Sequence, residues 1–248
     1  MPNFLPLIAT NASRWSAMRI VAAHIPILDS VAARLVVTTA KSLYQALEGQ
    51  TGVPWYVIAV IHEREASQSW HAQLGQGDPL TQRSIHFPAG RIPYPAQPPF
   101  TWSACAYDAL ANCAPFAAQW KDWSIGGLLT LLERYNGLGY FYMNKPSPYI
   151  WSKSDQYIRG KYVSDRHYDP NAVDTQMGCA PLLVRMMLLD QSITFSIAPR
   201  IDVVPFVALA TPIVLEAPVV HDTSVHIAAS QAPASAFSEP LVAAGESA

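Results

Sequence analysis

Apolar residues recur at helical spacing between Arg14 and Gly49, as in Ile27, Val31 and Leu35 and again in Leu43 and Leu47. The spacing predicts two helices broken near Pro26, because proline brings no N–H to the helical ladder. Asp29 or Ser30 is placed to cap the second helix and Gly49 to end it. The segment TGVPWYVIAVIHEREAS predicts a further helix, with Thr51 as its N-cap and Pro54 in the first turn, where a missing donor costs nothing. This stretch is apolar enough to form the buried centre of a domain.

The helical period is lost over residues 68–100. Gly75, Gly77 and Gly90, many prolines and short alternating pieces such as SIHF predict a small β-hairpin and a long loop. Helical spacing returns over 101–120 and 125–134, the latter opened by Ser124 and closed by Tyr135, Asn136 and Gly137. Residues 144–170, rich in aromatics, Ser, Pro and Gly, predict an ordered loop excursion, and a last helix is expected over 171–189. Residues 1–191 therefore predict one α+β domain, mainly α, with a small β-hairpin. Residues 192–248 shift towards Ala, Val and Pro, with prolines at 199, 205, 212, 218, 233 and 240, and predict an extended or poorly ordered tail available for docking. Its most apolar part, Val203 to Leu215, is too short and too proline-broken to span a bilayer, and no transmembrane segment is expected elsewhere.

Composition narrows the function classes. Half of the 248 residues are hydrophobic, ample for a buried core, and the formal charge is −2. So near-neutral a chain does not coat nucleic acid or anionic lipid by bulk electrostatics, and a neutral sugar polymer suits it better than a polyanion. Cys105, Cys113 and Cys179 are odd in number and widely spaced, which predicts buried thiols in place of a disulfide framework. No cysteine, histidine or acidic set has metal-ligand spacing and no glycine-rich phosphate loop is present, so neither a metal nor any other cofactor is expected. The N-terminal MPNFLPLIATNASRW lacks a basic segment followed by an apolar stretch, which predicts no secretory signal.

Two glutamates end the apolar helix. Glu63 and Glu65 point about 200° apart on a helix, so only one can share a face with the core. Glu65 follows Ile58 by seven residues and Ile61 by four, on the buried stripe, whereas Glu63 lies off it and is expected in solvent. A carboxyl on a greasy stripe ionises reluctantly, which is the property a glycosidase acid needs. A salt bridge to a neighbouring arginine, or plain exposure at the helix end, are the competing readings. His62, three residues before Glu65, is placed to share its face, with a structural histidine as the preferred reading, and His86 is open to the same two readings.

The ordered series VIAVIHEREAS, LGQGDPL, HFPAGR, YNGLGY, SPYIWS, KYVSD and VDTQMG resembles a family of phage and prophage lysozyme-type proteins within the broad lysozyme superfamily, over roughly residues 40–190. The chain departs from the pattern in AQLGQGDPL, where the family is closer to LHNGDPL, and in Trp70, where phenylalanine is usual. The resemblance implies a lysozyme-like helical domain, peptidoglycan glycan strands as partner, and Glu65 as the acid. It implies a second polar group on the following hairpin, for which Asp78 in the Gly-Asp-Pro turn is the candidate; the same pair equally suits a residue that only shapes the turn. Thr81 and Ser84 follow as candidate water-positioning groups. Tyr135 and Asn136 resemble a Tyr-Asn element that lines the sugar cleft, and Tyr149 and Trp151 are candidate aromatic platforms.

The implied activity is that of a muramidase. A lytic transglycosylase, an enzyme for chitin or chitosan, and a non-catalytic wall-binding or virion protein on the same fold are the alternatives. The implied location is accumulation in the cytoplasm with delivery to the wall by another factor, as holins do for many phage endolysins, or association with the virion.

Overall fold

A computed structural model describes residues 3–86, 88–164 and 167–196. Its elements are α1 (Leu5–Ala17), a 3-10 turn (Ala22–His24), α2 (Ile25–Val36), α3 (Thr38–Thr51), α4 (Trp55–Ala66), α5 (Trp102–Ala111), a second 3-10 turn (Ala117–Gln119), α6 (Ile125–Asn136), the short α7 (Gly139–Tyr142) and α8 (Pro148–Trp151), strands β1 (Lys161–Ser164) and β2 (His167–Asp169), and α9 (Cys179–Leu189). The fold is α+β and mainly α, with one small antiparallel sheet. No described helix is long and apolar enough to cross a membrane.

The helix α4 is the centre of the packing. Every residue from Trp55 to His62 is buried. It is enclosed by α3, α6 and α9, while α1 lies on α6 and α2 on α9. A helix buried all round cannot slide or rotate without exposing core, since each fully buried Val or Ile contributes about 1.5–3 kcal/mol. The C-terminus of α4 is therefore a rigid mount. The helix ends in a left-handed turn at Ser67 and Gln68 (φ 50° and 58°), whose N–H groups donate to Glu63 O and His62 O at 2.9 and 3.0 Å. Glu65 thus sits two residues before a fixed reversal of the chain.

Several boundaries differ from the sequence expectation for local reasons. A break does lie near Pro26, between the end of α1 at Ala17 and the start of α2, whose first turn holds the proline, and a second break falls at Val37. Asp29 caps nothing; its carboxylate receives Arg185 of α9. Gly49 stays inside α3, which ends at Gly52 with φ +71°. Thr51 closes α3 instead of opening α4; its hydroxyl donates to Leu47 O and accepts from Val53 N. α5 stops at Ala111, four residues before Pro115, which has no N–H to give to the Ala111 carbonyl and could not continue the helix. α9 starts at Cys179, the residues before it being taken up by loop hydrogen bonds around Asp174.

The hairpin also lies elsewhere. Among the described residues of 68–100 no strand forms; Ala72 and Pro79 make one isolated antiparallel bridge. The prolines there, including Pro93, Pro95, Pro98 and Pro99, strip the donors a ladder needs. The sheet forms at 161–169, within the stretch expected as loop. There Tyr162 pairs with Tyr168, their rings 5.5 Å apart, and both meet Tyr140. Residues 192–196, assigned to the tail, belong with the body: Ile193 is buried, Phe195 packs edge-on against Trp15 and Tyr56, and Tyr56 donates to Thr194 O at 2.6 Å. The remainder of the expected tail, 197–248, lies outside the described residues.

Candidate functional site

The last turn of α4 sends its two glutamates to opposite fates. Glu63 is not left in solvent as expected; Arg34 of α2 pairs with it at 2.5 Å. Glu65 forms no ion pair with any described residue. Its one hydrogen-bond partner among the described residues is the Tyr149 hydroxyl of α8, which donates to Glu65 Oε1 at 2.8 Å. The side chain is half-buried in dense surroundings. Burial pushes its pKa up to about 7, against the smaller opposing pulls of the Tyr149 hydrogen bond and the nearby Arg64 charge. Near neutral pH it therefore holds a proton for much of the time, on a residue that is not fully enclosed.

The arginine next door takes no part of Glu65. Arg64 is buried, and its Nη1 donates to Asp174 Oδ2 at 2.9 Å and to Met177 O at 3.1 Å. Its guanidinium lies over the Tyr149 ring, 4.6 Å from the centroid. Gln176 Nε2 donates to Arg64 O at 2.9 Å and fixes the backbone at the helix end. The segment VDTQMG thus contributes through contacts behind the acid. Sequence reading missed Arg64 and Asp174 as site residues, although an arginine one place from a buried stripe demands a buried acidic partner.

The turn of residues 73–78 closes over the same helix end. Gly77, at φ +70°, is needed there: a Cβ would stand 3.3 Å from Glu65 O, and the conformation itself disfavours any other residue. Tyr135 reaches this region from α6, and a Cβ on Gly75 would lie 3.8 Å from its hydroxyl. Burial, followed by the neighbouring Glu65 carboxylate, holds the Tyr135 phenol well above its usual range. Glu65, Tyr149, Tyr135 and the Asp78 turn are accordingly brought together.

Asp78 is 2 % exposed, and its oxygens are heavily committed. Oδ2 accepts from the backbone N–H of Ile85 and His86 at 3.0 and 3.1 Å, and Oδ1 meets His86 Nδ1 at 2.8 Å. This arrangement folds the 84–91 loop back onto the turn. Ser84 is engaged in the same loop, its O–H donating to Pro88 O and its oxygen accepting from Arg91 N, and the residue is buried, so its proton is not free for a water. Thr81 is exposed, away from any strand. Asn136 is half-buried at the end of α6.

The two aromatic platform candidates have other roles. Trp151, at 1 % exposed, is part of the core and shows no face to a ligand. Tyr149 is buried beneath Arg64, so its hydroxyl matters and not its ring face. His62 is structural, as expected: it is fully buried, contacting Tyr44 Oη, Ser69 O and Trp102 Nε1, and burial lowers its pKa to about 4. Cys105, Cys113 and Cys179 are buried free thiols.

The Tyr149 contact gives a direct prediction. A hydroxyl donating to a carboxylate favours ionisation, so Tyr149→Phe is expected to move the Glu65 midpoint upward from about 7. A titration of isotope-labelled glutamate carboxyls by NMR reads this shift, and an unmoved midpoint would mean that the hydrogen bond is not made. Compared with known proteins, the chain matches no family model, no curated protein and no solved structure.

Proposed function

We propose that this protein cleaves the glycan strands of peptidoglycan by general acid catalysis at Glu65. The observation that carries the reading is a carboxylic acid at a rigid helix end, free of any arginine clamp and held protonated near neutral pH by its surroundings. The substrate class is supported by the ordered resemblance to phage lysozyme-type proteins and by the near-neutral charge of the chain. In the reaction, Glu65 passes its proton to the glycosidic oxygen between muramic acid and glucosamine units as the bond from that oxygen to C1 breaks. The sugar left behind carries oxocarbenium-like charge. Water adding to C1 gives a new reducing end, and its spare proton returns to solvent or to the Glu65 carboxylate.

A lytic transglycosylase is the second reading, favoured by one observation. The Asp78 oxygens are occupied by two backbone donors and His86, which argues against a free second carboxylate on the turn. In that case the sugar's own 6-hydroxyl closes on C1, and the Glu65 carboxylate takes up its proton. Digestion of purified peptidoglycan followed by mass spectrometry distinguishes the two: reducing ends indicate a hydrolase, 1,6-anhydro ends a transglycosylase. Sedimentation with the wall and no release of fragments would overturn both in favour of a wall-binding protein.

A further inference from the structure

The group behind Glu65 is a buried relay of charge and contact. Asp174 Oδ2 accepts from Arg64 Nη1 at 2.9 Å, the Arg64 guanidinium covers the Tyr149 ring, and Tyr149 donates to Glu65 Oε1 at 2.8 Å. Asp174 is 2 % exposed and Arg64 8 %. Asp174 Oδ1 also accepts from Lys161 Nζ of β1 at 3.1 Å, which gives the small sheet a part in the site. The Tyr157 hydroxyl accepts from Asp174 N, and Ser152 Oγ and Lys153 Nζ donate to Asp174 O. The acid is thus held from backbone and side chain alike.

A buried arginine beside a carboxylic acid normally pairs with it and ionises it. We propose that Asp174 is a positioning residue that prevents this: by taking up the Arg64 guanidinium, it lets Arg64 brace Tyr149 against Glu65 without pairing with Glu65 itself. The inference deepens the role proposed for Glu65 and rests on that role for its catalytic meaning.

The geometry favours this division of labour. The Arg64 Nε is buried with no hydrogen-bond partner among the described residues, so its charge is compensated chiefly at the end that faces Asp174. Other titratable groups around Glu65 are Tyr149 of α8, Tyr135 of α6 and Cys179 of α9, all held in their neutral forms by burial. On the 73–78 turn, Asp78 is engaged with His86. Arg64 is then the cation whose compensation decides how readily Glu65 ionises, and Asp174 is what compensates it.

The test is the NMR titration of labelled glutamate carboxyls in the full chain, with Glu65 identified by its absence in Glu65→Gln. In Asp174→Asn the uncompensated guanidinium is expected to lower the Glu65 midpoint from about 7 by about 1 pH unit or more. The alkaline limb of the pH–activity profile is expected to follow. A role in mere bracing predicts the opposite, because release of Tyr149 would raise the midpoint; an unmoved or raised midpoint overturns the proposal. Where Asp174→Asn does not fold, the double change Arg64→Met with Asp174→Asn exchanges the ion pair for neutral groups, a replacement buried sites often tolerate. It is expected to leave the midpoint at or above the wild-type value, and a lowered midpoint there overturns the proposal, since no guanidinium would remain to cause it. The titration needs no turnover, so absence of wall cleavage would defeat the proposed function and leave this inference standing.

Discussion

Glu65→Gln is expected to abolish solubilisation of purified cell wall while leaving the protein folded and no less stable near neutral pH than the wild type. General acid catalysis contributes about 10²–10⁴-fold, so release of fragments should fall by at least that order. The fold should persist because glutamine is close in shape to the protonated acid, and its carbonyl can still accept from the Tyr149 hydroxyl at the position Oε1 now holds. The sign of any stability change follows from linkage. A carboxyl whose folded pKa rises to about 7 from 4.5 stabilises the fold below the lower value and loses that contribution as pH climbs through the upper one. Between pH 4.5 and about 7 the glutamine variant should thus gain on the wild type, and above pH 7 it should keep that gain. Fragment release and calorimetry on the same preparations check both halves, and full activity in a folded Glu65→Gln protein would remove Glu65 from the chemistry.

The acid could be found in the sequence because its environment is helical and local. Ile58, Ile61 and Glu65 are related by the turn of one helix, and their common face is fixed by residue count alone. What surrounds the acid comes from far along the chain. Tyr149 stands 84 positions from Glu65, and Asp174 stands 110 from Arg64. No period relates such positions. Trp151 shows the limit in the other direction: an aromatic in a segment rich in Ser and Pro looks like surface, yet α8 turns it into the core beside Ile150. The sheet was misplaced for a related reason. Strand pairing at 161–169 depends on Tyr162 and Tyr168 meeting Tyr140, a tertiary contact, whereas the alternation around SIHF was outweighed by the prolines that follow it.

A second buried acid separates a structural use of this property from the chemical use proposed for Glu65. Glu133 of α6 is 2 % exposed, and burial pushes its pKa up to about 7, opposed by a hydrogen bond from Asn11 and by the charge of Arg14, both on α1. Asn11 Nδ2 reaches Glu133 Oε2 at 3.4 Å and Thr130 Oγ1 at 3.2 Å, so the acid lies in the seam between α1 and α6 with no exposed path to a substrate. Glu133→Gln is therefore expected to leave wall cleavage unchanged and to alter the pH dependence of stability. The folded protein holds this proton through the window from 4.5 to about 7 whereas the unfolded chain releases it, so wild-type stability falls as pH rises across that window. The fall attributable to Glu133 amounts to about 3 kcal/mol. An amide whose N–H groups find no partner adds a cost that is the same at every pH. The decisive quantity is therefore the difference between variant and wild type, which should widen in the variant's favour by about 3 kcal/mol between pH 4.5 and pH 8 in denaturant titrations. Parallel curves would mean that Glu133 is ionised within the seam at no cost, and that burial there does not act on a carboxyl as it is argued to act on Glu65.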